Sequence, residues 1–208
     1  MLPTILNQGG PVAILLLLLA VVALAVFMER ALHLHRAQIN VVEFLNGIRN
    51  VLRRANVMEA VAICDATPGP VPRVVKAAIL AREQGRERVR EAVQEAGAAE
   101  IPMLERRLHF LATLCQVTPL LGLLGTVLGF MDVFAELERQ GLYAHVNQLS
   151  GGIWRAMISM GLGLGIGIPL YAGHNYLVSR VCALANDMER AAMEIVHIVA
   201  DGNGAAQS

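Results

Sequence analysis

An apolar run from Phe110 to Phe134, holding the stretch Thr118–Gly129 (TPLLGLLGTVLG), constrains this chain more than any other feature. A helix that only faces lipid needs about 20 apolar residues and nothing more. This stretch adds a proline, three glycines and two threonines. Gly122, Gly125 and Gly129 remove side chains so that another helix can come close, and Thr126 sets a hydroxyl among them near the membrane centre. The expectation is a span built to line something.

Two further runs of the same kind bracket it, at Gly9–Phe27 and Ile153–Val178. With 55% hydrophobic and 16% charged residues, the composition lies on the membrane side of the soluble average of about 25% charged. The first run lacks a basic n-region before it and continues past its one small-x-small site, so it reads as a retained anchor. Charge then orients the chain. Of 17 Lys and Arg, 13 lie between Met28 and Leu108, none precede Met28, and the connection between the second and third runs holds Arg139 alone. Basic residues stay on the cytoplasmic side. The expected fold class is an all-α membrane protein: three transmembrane helices (9–28, 109–134, 153–178), with long helices extending into a cytoplasmic helical domain (29–108). Residues 1–8 are then a periplasmic N-terminus, 135–152 a periplasmic loop, and 179–208 a cytoplasmic C-terminal helix and tail.

Within 29–108, Val41, Phe44, Leu45, Ile48, Val51, Leu52 and Ala55 recur at three- and four-residue spacing, an apolar helix stripe. Cys64–Pro72, with three prolines and a glycine, predicts a turn. The Ala/Glu/Arg-rich segment Arg73–Arg107 predicts a solvated helix that continues into the second span as one long helix, its Glu83, Glu87, Glu91 and Glu95 offset by Arg82, Arg86 and Arg90. Val181, Leu184, Met188, Ala191, Ile195 and Ile198 predict an amphipathic C-terminal helix, and GNGAAQS a frayed tail.

Nothing in the chain suggests catalysis. Cys64, Cys115 and Cys182 are far apart with no CxxC, and His33 and His35 point to different sides of a helix, so neither a metal nor a disulfide is expected. GLLGTVLG has no preceding strand and no lysine, which discards a nucleotide loop. No cofactor and no nucleic acid is implied. What remains is polar groups at chosen depths. Thr118, Gly122, Thr126 and Gly129 share one helix face, and Ser159, Gly163 and Gly167 repeat every four residues. In an antiparallel hairpin Thr126 and Ser159 lie at similar depth and can hydrate a narrow ion path; the alternative is that these hydroxyls bond back to helix carbonyls. Gly125–Gly129, Gly161–Gly165 and Gly163–Gly167 are GxxxG pairs that signal close helix packing. The same counting brings Asp132 and Arg155 within about one turn of each other as a possible charge pair. His174, near the inner end of the third span, is a possible proton relay or an interfacial histidine bonded to a neighbour.

LLGLLGTVLGFMDVF (Leu120–Phe134) resembles the second-helix signature of the MotA/TolQ/ExbB proton-channel family, and IPLYAGHNYL (Ile168–Leu177) the end of its third helix. Three spans, an outside N-terminus and Glu29-Arg30 just after the first span are also similar, and the length is closer to the TolQ/ExbB branch. The resemblance implies a homopentamer in the bacterial inner membrane around a single-span ExbD/TolR-like partner, whose membrane aspartate takes up and releases protons to drive work on the envelope. It places Thr126 on the threonine facing that aspartate, Pro169 on the third-helix proline and Asn175 on the asparagine near the inner end. Thr118 and Ser159 join the expected ion pathway. Departures stand in the third helix: Arg155 replaces an acidic residue, Met160 the second pore threonine, and His174 a common tyrosine. A non-conducting scaffold for envelope partners and a sodium-driven motor subunit are the competing readings.

Overall fold

The structure is a computed structural model and describes residues 10–54, 56–140 and 146–205. The expected N-terminal segment 1–8, Gly9, Ala55, residues 141–145 of the expected outer loop and the last three residues lie outside the described residues. Among those described, every regular element is helical: α1 Gly10–Ala37, α2 Val41–Arg53, α3 Val57–Ala66, α4 Pro70–Ala81, a 3-10 turn Arg82–Gln84, α5 Arg86–Glu105, α6 Leu108–Gln140 and α7 Val146–Ala205. Three stretches, Gly10–Ala37, Arg86–Arg139 and Leu149–Val199, are long and apolar enough to cross a membrane. The chain forms two compact units, Met1–Glu29 with Arg107–Tyr176, and Arg30–Arg106 with Leu177–Ser208.

The helices overrun the expected spans. α6 continues through Gln140 and α7 begins at Val146, so much of 135–152 is helical. The tail segment GNGA is helical as far as Ala205. Hydropathy marks where a helix meets lipid and carries no information on where its backbone bonds stop, so the two boundaries need not coincide.

In the first unit, Ala13, Leu16 and Ala23 of α1 and Leu111, Leu114 and Thr118 of α6 turn inward, as do Ala156, Ser159 and Leu170 of α7. Val21, Leu24, Leu120, Phe134 and Ile168 are each more than 60% exposed. Such an inside-out surface is untenable in water and expected in hydrocarbon.

The second unit is built on α4, whose Val71, Val74, Val75, Ala78 and Ile79 are buried and which packs against α3 and α5. Leu45 and Ile48 of α2, Ala60 and Cys64 of α3 and Val89 and Val93 of α5 complete its core with Leu177, Val181, Leu184, Met188, Ala191, Ile195 and Val199 of α7. That last series repeats every three or four residues over six turns of helix. Asn40 and Asn56 cap α2 and α3, each accepting from the amide three residues on (Glu43, 3.4 Å; Glu59, 3.3 Å). The expected turn at Cys64–Pro72 narrows to Thr67–Gly69, because Pro70 is accommodated in the first turn of α4. Gly69 there has φ 124°, and a Cβ would stand 2.8 Å from the Ala37 carbonyl oxygen. The single helix expected over Arg73–Arg107 is broken at Gly85 (φ 95°), a left-handed conformation that ends the 3-10 turn and starts α5. Of its glutamates, Glu83 is met by Arg82 at 3.9 Å, as expected, while Glu91 accepts from Arg88 at 2.9 Å. Across the unit, Arg73 grips Glu100 with both oxygens at 2.9 Å, Lys76 reaches Asp65 at 2.6 Å and Arg49 reaches Glu194 at 3.0 Å.

Burial, and after it the Asp65 carboxylate, pushes the Cys64 thiol up to about 11. An unfolded cysteine titrates near 8.5. The sign follows: with the folded value raised, the stabilising contribution is whole below about pH 8.5 and is lost as pH climbs toward 11. In detergent-solubilised protein at pH 8, an alkylating reagent is expected to label the exposed Cys182 and spare Cys64 until the fold is melted. Over pH 8–11 the unfolding temperature of Cys64→Ala should fall less than that of the parent; identical slopes would show that Cys64 is not held protonated by the fold.

Candidate functional site

α6 and α7 run antiparallel in the first unit, and where they cross, backbone meets backbone. A Cβ added at Gly122 would stand 3.0 Å from the Gly163 Cα and from the Ser159 carbonyl oxygen; one at Gly163 would stand 2.7 Å from the Gly122 Cα. At Gly125 it would fall 2.4 Å from the Ser159 Cβ, and at Gly129 2.8 Å from the Ala156 nitrogen and Cβ. Gly167 rests on the ring of Pro119, where a Cβ would lie 3.3 Å from Cδ. At Gly125, Gly129 and Gly163 no real side chain fits at such distances, and at Gly122 and Gly167 the facing atoms would have to give, so the glycines set the separation of the two helices.

Gly161 and Gly165, expected to pack closely against a helix as part of glycines that cover more than one face, have nothing within 4 Å among the described residues. Four glycines at alternate positions of a helix cannot share one face, and these two take the open one.

The approach places Thr126 at the seam. It is half-buried, and its hydroxyl donates to the Gly122 carbonyl on its own helix (3.1 Å) and to the Ala156 carbonyl across the crossing (3.3 Å). One turn away Ser159 is fully buried, and its Oγ has no hydrogen-bond partner among the described residues. Thr118 departs from the expected partner-facing stripe. It is 1% exposed and its hydroxyl donates to the Leu114 carbonyl at 2.7 Å, the back-bonding that the spacing left open as an alternative. Met160, next to Ser159 in sequence, is half-buried.

At one end of the hairpin the Arg155 guanidinium donates to Asp132 at 2.6 Å. Both lie in a polar cleft of about 530 Å³ lined with Glu136, Arg139, Gly151 and Gly152. Toward the other end His174 is half-buried with Nδ1 lacking a partner among the described residues. Pro169 is exposed and lines an apolar cleft of about 360 Å³ with Ala23 and Phe27 of α1 and Ile166, Leu170 and Gly173 of α7. A proline has no N–H, so Pro169 withholds from the Gly165 carbonyl its usual helical bond. Sequence reasoning passed over Ala156, although Gly152–Ala156 is a small-xxx-small pair two turns before Ser159–Gly163. It read α1 only as an anchor and gave it no contact with the hairpin, although its Val12 and Phe27 press on Gly125 and Gly173.

The glycine register predicts an asymmetry between neighbours in sequence. Gly163→Ala should destabilise the detergent-solubilised protein by about 1–3 kcal/mol through overpacking, while Gly161→Ala should be neutral or slightly stabilising, by up to about 1 kcal/mol from helix propensity. Equal shifts in unfolding temperature would refute this register. Reversing either Asp132 or Arg155 should lower stability by less than about 1 kcal/mol, since the pair is about half exposed. The double swap should recover it; equal loss in all three variants would show that the two act independently.

The profile of the MotA/TolQ/ExbB proton channel family matches residues 66–190, which include α6, the hairpin crossing and Arg155. The chain is 24% identical over 176 residues to an ExbB homolog of Methanothermobacter thermautotrophicus, covering 84% of this chain and 62% of that protein. It is 32% identical over 162 residues to an ExbB-like biopolymer transport protein of Synechocystis, covering 77% of each. To the Tol-Pal system protein TolQ of Haemophilus influenzae it is 40% identical over 88 residues, 42% of this chain and 38% of TolQ. The chain thus spans less than two thirds of the length of the first and third of these relatives. With three helices long and apolar enough to cross a membrane and a family match over more than half its length, this chain is a membrane protein and belongs to the MotA/TolQ/ExbB proton channel family.

Proposed function

We propose that the chain is the pore-forming subunit of an inner-membrane motor driven by the proton-motive force. Five copies surround a single-span partner of the ExbD/TolR type, with the N-terminus periplasmic and the second unit cytoplasmic. The names of its relatives, biopolymer transport and Tol-Pal, support work on the cell envelope.

The observation that carries this reading is the direction of the Thr126 hydroxyl. Its one proton is committed to the Gly122 and Ala156 carbonyls, so its oxygen offers only lone pairs. A lone pair accepts from a protonated carboxylic acid and repels a carboxylate. A partner aspartate brought beside Thr126 is therefore favoured in its neutral form, which a low-dielectric setting favours as well. It crosses the apolar layer with its proton and releases it where water returns. Ser159, buried with an unused hydroxyl one turn away, provides a second polar atom on the same seam. Arg155, the departure that most threatens a cation path, is held by Asp132 at the end of the hairpin, so its charge is matched locally.

The test is proton flux into liposomes holding this protein and a co-purified single-span partner bearing a membrane aspartate. Thr126→Val should leave the assembly intact and cut flux by about 10²-fold or more, the range in which loss of one positioned proton-transfer contact falls; Thr126→Ser should retain most of it. Full flux in Thr126→Val would remove Thr126 from the path. An intact complex that never conducts under an imposed gradient would establish the scaffold instead.

A further inference from the structure

Four charged side chains line the polar cleft at the end of the hairpin that the proposed topology turns outward: Asp132, Glu136 and Arg139 of α6 and Arg155 of α7. Their charges balance, two acids against two arginines. Asp132 and Glu136 stand one turn apart on the same face of α6. Arg155 reaches them from the other helix, and its side chain is held at both ends. Its guanidinium donates to Asp132 at 2.6 Å. Its stem lies against the first turn of α1, where a Cβ added to Gly10 (φ 66°) would stand 3.1 Å from the Arg155 Cδ and 3.4 Å from its Nε. The next residue is Ala156, whose carbonyl receives the Thr126 hydroxyl. Asp132 in turn is six residues, about 9 Å of helix, from Thr126. The cleft therefore opens beside the seam that carries the proposed path.

Without Arg155 the balance fails. Two carboxylates against one arginine attract cations, and in an assembly of five copies the excess repeats as an acidic ring. Such rings select cations in channels. A cleft of one sign raises the local concentration of counter-ions by about 10-fold to 10³-fold. The guanidinium seated on Asp132 removes that excess, being always charged and shaped to match a carboxylate. A sodium ion arriving from this side meets no net charge to gather it and a carboxylate already engaged. A proton is spared the same obstacle, because on the proposed mechanism it crosses on the partner's carboxyl group as a neutral acid. We infer that Arg155 is the residue that makes the path reject sodium: a tethered cation held on Asp132 where a metal ion would otherwise sit. This role rests on the proton-driven reading above and names its specificity-determining residue.

The experiment follows sodium uptake and proton flux side by side in liposomes holding the full-length protein and its co-purified partner. The parent should pass protons and no more sodium than empty liposomes do. Arg155→Gln should raise the ratio of sodium to proton flux about tenfold or more. Arg155→Lys, which keeps the charge, should not. Adding Asp132→Asn to Arg155→Gln leaves one acid against one arginine and should return the ratio to the parent's. A parent that passes sodium, or a ratio unmoved by Arg155→Gln, would overturn the assignment. A second readout needs no conduction: unfolding of the detergent-solubilised protein in sodium chloride against choline chloride at equal ionic strength. Sodium should raise the unfolding temperature of Arg155→Gln by about 2–4 °C and leave the parent and the double variant unmoved. An equal response in all three, or none in Arg155→Gln, would show that no metal ion competes for the place of the guanidinium. A complex that passes neither ion would unseat the proton-driven reading, and the unfolding curves would then decide the role of Arg155 alone. Should Arg155→Gln fail to fold, Arg155→Ala takes its place, and sodium uptake by the parent still decides against the assignment.

Discussion

Hydrocarbon can bond to no N–H and no C=O, so a chain that crosses it must satisfy its backbone from within. The described residues answer with helices throughout, and the polar exceptions stand out against that background. Thr118 and Thr126 spend their protons on carbonyls of their own helix, Thr126 sharing its proton with the neighbouring one. Ser159 does not, and Pro169 withdraws a donor from Gly165. Each unspent group in an apolar layer is a cost that protein, ligand or partner must offset. Their concentration on α6 and α7 is what separates this hairpin from a simple anchor.

Much of this was legible in the residues. Long apolar runs mark membrane helices because lipid demands length and apolarity from the sequence directly. The stripe of α7 through Leu184, Met188 and Ile195 was readable because one buried face imposes a period on the chain. Asp132 and Arg155 could be brought together by counting, since two antiparallel rods have one free parameter, their register.

Other features depend on facts that sequence holds weakly. The direction of Thr118 is decided by a rotation of α6 of less than one residue's arc, which glycine and threonine spacing alone does not fix. Which of four glycines meets α6 depends on the facing helix, so Gly161 and Gly165 read the same as Gly163 and Gly167 until the partner surface is known. Gly85 breaks a helix that every surrounding residue favours, through a backbone angle that leaves no trace in composition. The burial of Arg30, 7% exposed with its Nε sealed, was invisible for a related reason: an arginine after an apolar run is ordinarily an interfacial anchor, and only the surrounding chain shows how much of it is covered.

The crossing of α6 and α7 has a mechanical corollary. Most helix pairs meet through a layer of side chains, whose rotamers act as bearings and let one helix slide on the other. Between Gly122 and Gly163, and again between Gly129 and Ala156, that layer is missing. Peptide planes have no rotamers to give, so the joint is stiff to both sliding and rolling. Force applied to one arm is delivered to the other with little lost motion, and the two helices swing as a single lever. Compliance is left to surfaces where side chains, or open space beside Gly161 and Gly165, still intervene.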